Sequence, residues 1–450
     1  MRRLRRLTLA PLAGLLGLVG GCNPLDFDDQ RGLAPTVSLR PPADYPRERF
    51  GAVLTGYADP SGDESRLVAT AGSDSPFIGF PVVQDEAFAI GQALFDGCRE
   101  EGDCGDGSGA SVAGLPTFQG RELCVMSVAE LAGTARIECE GEPAGTTVTA
   151  SGGIAFGASA ASAPDGFPLV QALIGAPEAD GGVGSVWTQP DGDTPLRLDL
   201  AAAVGVEGLG RSLAAARLDA DRILVAAGAP DGDDPTVVVF TVEEDAGAPV
   251  TAVRACIDGP DGFGTTLALG DLDGDGVPDL AVGSGADGEV LVYDGRGLPD
   301  PGGCGPWGSS PLSRSCPEDA DPLVECDDSV FGVSVAIGDV NADGLAELVV
   351  GAPGAQATNV EGAGAVFVFS GEDDLMDLGA TTTALRHSQP RRDDNLGEAV
   401  TVVPGVPTTP PRVEVAAGAP GVDRVYVFTC TGLPDDRPED LGGDRCQPIQ

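Results

Sequence analysis

The sequence predicts an all-β protein over residues 34–430 in which seven small sheets close into a ring, a seven-bladed β-propeller. Three observations predict it. A unit recurs along the chain: an aromatic residue or Leu followed by Gly, a small-residue strand, an apolar strand ending in a Gly-Ala-Pro type turn, and an alternating strand. Its starts at Phe156, Leu209, Phe263, Phe331 and Leu396 are separated by 53, 54, 68 and 65 residues, and Phe50 lies 106, or twice 53, before Phe156. Composition is the third observation: 67 Gly and 37 Pro in 450 residues supply many tight turns, and 42% hydrophobic residues supply a core. Short alternating strands at periods above the usual solenoid range favour a closed ring, which also removes sheet edges.

The elements follow in order. Met1-Arg-Arg-Leu-Arg-Arg6 and the apolar run 7–20 read as a signal peptide over residues 1–21, too short for a stable transmembrane span. Val19-Gly20-Gly21-Cys22 resembles a bacterial lipobox, which implies that Cys22 carries lipid, begins the mature chain and tethers it to a membrane through residues 22–33. By the sorting rule of such lipoproteins, Asn23 points to the outer membrane, with the body surface-exposed or facing the periplasm. Residues 34–39 are placed to add an outer strand to the last blade and lock the ring. Blades are expected near 50–92, 93–148, 149–200, 201–255, 256–325, 326–388 and 389–430, followed by a tail at 431–450. The Phe50-Gly51, Phe156-Gly157, Leu209-Gly210, Phe263-Gly264, Phe331-Gly332 and Leu396-Gly397 pairs open six of them. The second blade has lost its opening, and 123–127 and 134–139 are its second and third strands.

Two turns carry chemistry. Asp271-Leu-Asp273-Gly-Asp275-Gly-Val-Pro-Asp279 sets carboxylates at loop positions 1, 3, 5 and 9, with the Val277 carbonyl available at position 7. Hard oxygen donors at alternating positions suit Ca2+, and Gly276 allows the sharp turn. Position 12 is Val282 where an EF-hand requires a bidentate Glu, so the loop belongs to a β-hairpin. A second copy offers Asp339, Asn341, Asp343, the Leu345 carbonyl and Glu347. With its Phe-Gly openings and Gly351-Ala-Pro353 turn, the chain resembles the FG-GAP repeats of the integrin alpha-subunit propeller. That resemblance implies seven blades, structural calcium on one face, and adhesion or ligand binding as the use. It is full in the fifth and sixth blades. The fourth keeps only Asp219 and Asp221, the first has Asp59 and Asp63, and the second, third and seventh show no metal loop.

Charge and cysteine narrow the classes further. The chain has 26 basic and 70 acidic residues; losing the four Arg of residues 1–21 leaves 22 against 70, a net of −48. Such acidity excludes nucleic acid as a natural partner and suits divalent cations, with an unknown protein or glycan as the ligand. Setting Cys22 aside leaves ten Cys of 11, an even number that fits an oxidising compartment. Short loops pair Cys98 with Cys104, Cys124 with Cys139, Cys316 with Cys326 and Cys430 with Cys446, leaving Cys256 with Cys304. Zinc is the rival use, but no close pair of C-x-x-C motifs is present and His387 is the single histidine. His387 sits in a polar stretch between blades and reads as a solvated surface residue, Trp187 as core and Trp307 as a loop anchor. No catalytic constellation is found, so a binding or adhesion module is expected. A glycan-active hydrolase or lyase, and a periplasm-facing assembly scaffold, are the alternatives. Insertions at 96–107 and 299–328 are acidic, Cys-tied candidates for part of a binding face.

Overall fold

A computed structural model describes residues 37–40, 49–58, 65–71, 77–82, 110–119, 121–129, 134–139, 146–149, 159–192, 194–200, 206–231, 234–285, 287–317, 320–326, 330–341, 343–379, 382–403 and 412–431. Among these residues, seven three- or four-stranded antiparallel sheets follow one another along the chain, with one short two-stranded ribbon beside them. The fifth sheet is typical: Thr266–Gly270, Asp279–Ser284, Glu289–Tyr293 and Leu312–Ser315 pair in sequence order. The first strand of each sheet lies against the first strand of the next, and that of the seventh returns to that of the first. Sheets radiating from a ring of inner strands are a β-propeller. In the second sheet, Arg121–Ala129 and Thr134–Cys139 are the second and third strands, where the sequence places them.

The strand expected from residues 34–39 is found at Val37–Leu39, which pairs antiparallel with Val425–Val427 as the outer strand of the seventh sheet. Chain segments far apart in sequence thus complete one sheet and cover its outer edge.

Both halves of the recurring unit have one physical cause, the close approach of neighbouring sheets. In the sixth sheet a Cβ on Gly351, the Gly of Gly-Ala-Pro, would lie 2.0 Å from the carbonyl oxygen of Gly397, which opens the seventh. Gly397 itself has φ +93°, a left-handed conformation that a side chain rarely tolerates. Ser334 Oγ donates to the same carbonyl at 2.8 Å. The contact repeats from sheet to sheet: Ser159 Oγ donates to Gly210 O at 2.7 Å and Ser212 Oγ to Gly264 O at 2.6 Å. Gly418 meets Gly51 O at 1.8 Å from its would-be Cβ, so this contact also joins the last sheet to the first.

Apolar residues fill the spaces between sheets. Phe50, Phe263 and Phe331, the aromatics of three Phe-Gly pairs, are fully buried, and each contributes roughly 1.5–3 kcal/mol. Trp187 is buried against the second and third sheets. Trp307 packs on Tyr293 at 5.7 Å between ring centroids and donates Nε1 to Asp294 O at 2.8 Å, anchoring the 299–328 insertion. Disulfides Cys124–Cys139, Cys256–Cys304 and Cys316–Cys326 are formed. The Cys98–Cys104 and Cys430–Cys446 pairings, Cys22, Asp59 and Asp63, and the 96–107 insertion lie outside the described residues.

Candidate metal centre

The first acidic loop joins the first and second strands of the fifth sheet and is shaped by its own side chains. Asp271 Oδ2 accepts from Gly276 N at 2.9 Å, Asp273 Oδ1 from Asp275 N at 3.2 Å, and Asp275 Oδ1 from Val277 N at 2.7 Å. These bonds curl the chain so that Asp271, Asp273 and Asp275 bring one oxygen each within 4.8 Å of one another. Leu272, the apolar residue between the first two, is fully buried and pins the loop to the core. Asp279 has a different place. Its Oδ2 accepts from Leu272 N at 2.9 Å and its Oδ1 from Gly295 N at 2.7 Å, so it ties the base of the loop to the turn after the third strand. Burial pushes its carboxyl up to about 7.

The second loop repeats this wiring in the sixth sheet. Asp339 Oδ2 accepts from Gly344 N at 3.1 Å, Asn341 Oδ1 from Asp343 N at 2.9 Å, and Asp343 Oδ1 from Leu345 N at 2.8 Å. Glu347 stands where Asp279 does: its Oε2 accepts from Val340 N at 2.7 Å, and burial pushes it up to about 8. Asn341 Nδ2 donates to Asp343 Oδ2 at 2.8 Å and to Glu347 Oε1 at 3.0 Å. The two loops touch. Ala346 N donates to Asp271 O at 3.2 Å, Glu372 N to Leu272 O at 3.2 Å, and Leu345 packs over Gly274.

Sequence reasoning missed Arg296, which sits in the turn after the third strand of the fifth sheet. Its guanidinium bridges Asp273 Oδ2 at 2.7 Å and Asp275 Oδ2 at 2.6 Å. Aligning the third strands, Tyr293 with Phe369 as partners of Leu280 and Leu348, puts Glu372 at the matching position of the second loop. That comparison was the available signal. The three converging carboxylates, the buried Asp271 Oδ1 that has no hydrogen-bond partner among the described residues, and a guanidinium already drawn to the cluster all fit a hard cation. Asp271, Asp273 and Asp275 would hold it. Val277 and Leu345 occupy position 7 of their loops.

Two other residues named from the sequence have partners in the structure. In the fourth sheet Asp219 is claimed by Arg222, at 2.5 Å, across a tight turn, and this bond holds its carboxyl below the ordinary value. His387 is a correction. Predicted to be solvated, it is only 5% exposed, with Nε2 2.7 Å from Asp394 Oδ2 and its ring stacked on Tyr426 at 4.7 Å. The polar stretch around it folds inward because Asp394 also accepts from Arg391 N at 2.6 Å, turning the chain back on itself.

The FG-GAP repeat family matches residues 263–297 and 331–369, the stretches that contain both loops. Human integrin alpha-7 is 34% identical over 163 residues, which are 34% of this chain and 12% of that protein. Rat integrin alpha-7 is 32% identical over 199 residues, 41% of this chain and 15% of the rat protein. The matched region is thus a small fraction of these relatives' length. Among solved structures, YCF48 from Cyanidioschyzon merolae aligns with a TM-score of 0.44 and 11% identity, covering 88% of this chain and 98% of that one. With strands, ring and loops in place, the chain is a β-propeller protein carrying FG-GAP repeats similar to those of integrin alpha subunits.

Proposed function

We propose that this protein is a cell-envelope lipoprotein, tethered to the outer membrane through lipid on Cys22, whose calcium-stabilised propeller is a binding or adhesion module for a protein or glycan rather than an enzyme. The observation that carries the reading is the pair of FG-GAP loops, whose carboxylates converge in the fifth sheet and whose backbones are bonded to each other. Calcium there would neutralise carboxylates that otherwise repel one another and would hold two adjacent sheets in register. The strongly acidic chain supports a role away from nucleic acid. The seven sheets are read as seven blades.

The test is protease accessibility on intact cells, with a periplasmic protein as the leakage control, followed by binding to immobilised glycans and matrix proteins in calcium and in chelator. Digestion together with binding lost in chelator is expected. Protection from protease would replace the adhesion reading with a periplasm-facing scaffold.

A further inference from the structure

The calcium loops join first to second strands, and the Arg296 turn leaves a third strand; in an antiparallel meander both lie at one end of the sheets. The opposite end carries the links from each outer strand to the next sheet and the turns between second and third strands. Where the sixth sheet hands over to the seventh, that end opens into a cavity of about 190 Å³, lined from the 386–399 link and from the strand Arg424–Thr431. At roughly 30 Å³ per water, it has room for about six waters.

Its floor is the buried His387–Asp394–Tyr426 group, and its rim carries Arg391 and Arg424. Asp394 is fully buried and accepts from His387 and Arg391 N through Oδ2, while its Oδ1 has no hydrogen-bond partner among the described residues. His387 donates through Nε2 to Asp394 Oδ2 and, kept neutral because burial lowers its pKa, retains Nδ1 as an acceptor. Two guanidiniums against one carboxylate give the cavity a local charge of +1 in a chain whose net charge is −44. Arg424 is hydrogen-bonded to Tyr426, which holds it at the rim; Arg391 is exposed at the mouth. Ser388 and Gln389 beside it add an alcohol and an amide.

We propose that this cavity binds a small polyhydroxylated carboxylate of about monosaccharide size, with Arg391 and Arg424 on the carboxylate and His387, Ser388 and Gln389 on the hydroxyls. A planar guanidinium matches a carboxylate bidentately, and a neutral imidazole held by a buried carboxylate accepts from an alcohol. The acid defines the class: the +1 rim gives a neutral sugar nothing to anchor it. The proposal deepens the binding-module reading by naming a ligand class, but the site is tested on purified protein and stands or falls without the cell-surface result.

Because His387 is the single histidine, 15N labelling of histidine gives one imidazole to follow. D-glucuronate, D-glucose and sodium sulfate are titrated at matched ionic strength. Saturable movement of the ring nitrogens by glucuronate but not by glucose is expected. Arg391→Ala should weaken that binding at least tenfold, with an unchanged melting temperature because the side chain is exposed; Arg391→Lys should recover part of it. No saturable movement with glucuronate overturns the proposal. Equal affinity for sulfate and glucuronate overturns the hydroxy-acid assignment, and an unaltered titration in Arg391→Ala overturns the rim.

Discussion

Arg296 shows how one side chain sets the character of a metal loop. Its guanidinium bridges Asp273 and Asp275, so a cation entering the first loop would have to displace it, whereas the second loop has Glu372 at the matching position. Arg296→Ala is expected to tighten calcium binding at the first loop by roughly tenfold, about 1.4 kcal/mol. Titration calorimetry checks it, and an unchanged affinity would mean that the guanidinium and the ion occupy different places. His387 carries a second residue-scale prediction. Burial depresses its pKa, and Arg424 and Arg391 push the same way against Asp394. The folded chain therefore binds fewer protons than the unfolded one below the ordinary histidine value of about 6.5. Its contribution to stability is complete above that pH and is lost as pH falls through the depressed folded value. In saturating calcium, the melting temperature of the intact chain relative to His387→Gln, measured from pH 8 to pH 5, should fall below about pH 6.5; taking the difference at each pH cancels the opposite trend from Asp279 and Glu347, whose raised carboxyls favour the folded state as pH falls.

At the scale of the strand and loop, the Gly-to-Gly contact is the device that joins sheets. A Cβ at Gly351 would meet the Gly397 carbonyl at 2.0 Å, backbone that cannot step aside. Gly351→Ala is expected to lower stability by roughly 3 kcal/mol, whereas Ser334→Ala, which loses one hydrogen bond to the same carbonyl, should lower it by about 1 kcal/mol. Urea unfolding of both variants ranks them, and the reverse order would place the weight of the contact on the serine. The two acidic loops are coupled, since Ala346 N of the second donates to Asp271 O of the first, and Glu372 N, in the turn after the third strand of the sixth sheet, donates to Leu272 O. Calcium uptake by the two loops should be cooperative, and calorimetric data that fit two independent sites would contradict this. Much of this level was legible in the sequence. Phe-Gly and Gly-Ala-Pro flank short strands, where alternation and turn chemistry act within a few residues. The acidic loops were legible for the same reason.

For the molecule as a whole, the proposed calcium on one face and the closure of the ring make separate predictions about stability. Chelation should lower the melting temperature, and Asp275→Ala should remove part of that sensitivity; an identical melt with and without chelator would refute a structural role for the ion. Closure rests on three residues, Val37–Leu39, paired with Val425–Val427 beside the Gly418–Gly51 contact. Removing residues 34–39 should lower the melting temperature even in saturating calcium, because it bares the outer edge of the last sheet. A melt equal to that of the intact chain would show that the glycine contacts close the ring unaided.

The repeating sheets, the strand that locks the ring and the two acidic loops were legible without coordinates, while short loop lengths and elimination only suggested the pairings of Cys124, Cys256 and Cys316 that the structure shows formed. Periodicity and turn residues are local signals, and they need no coordinates. Tertiary structure, not local signals, makes Asp279 and Glu347 accept hydrogen bonds from their loops' backbone, brings Arg296 to Asp273 across a hairpin, and buries His387 on Tyr426. Each of these depends on which side of a sheet a side chain emerges and what the neighbouring sheet presents to it. A polar stretch such as 386–395 reads as solvated until Asp394 and Tyr426 give His387 a place inside.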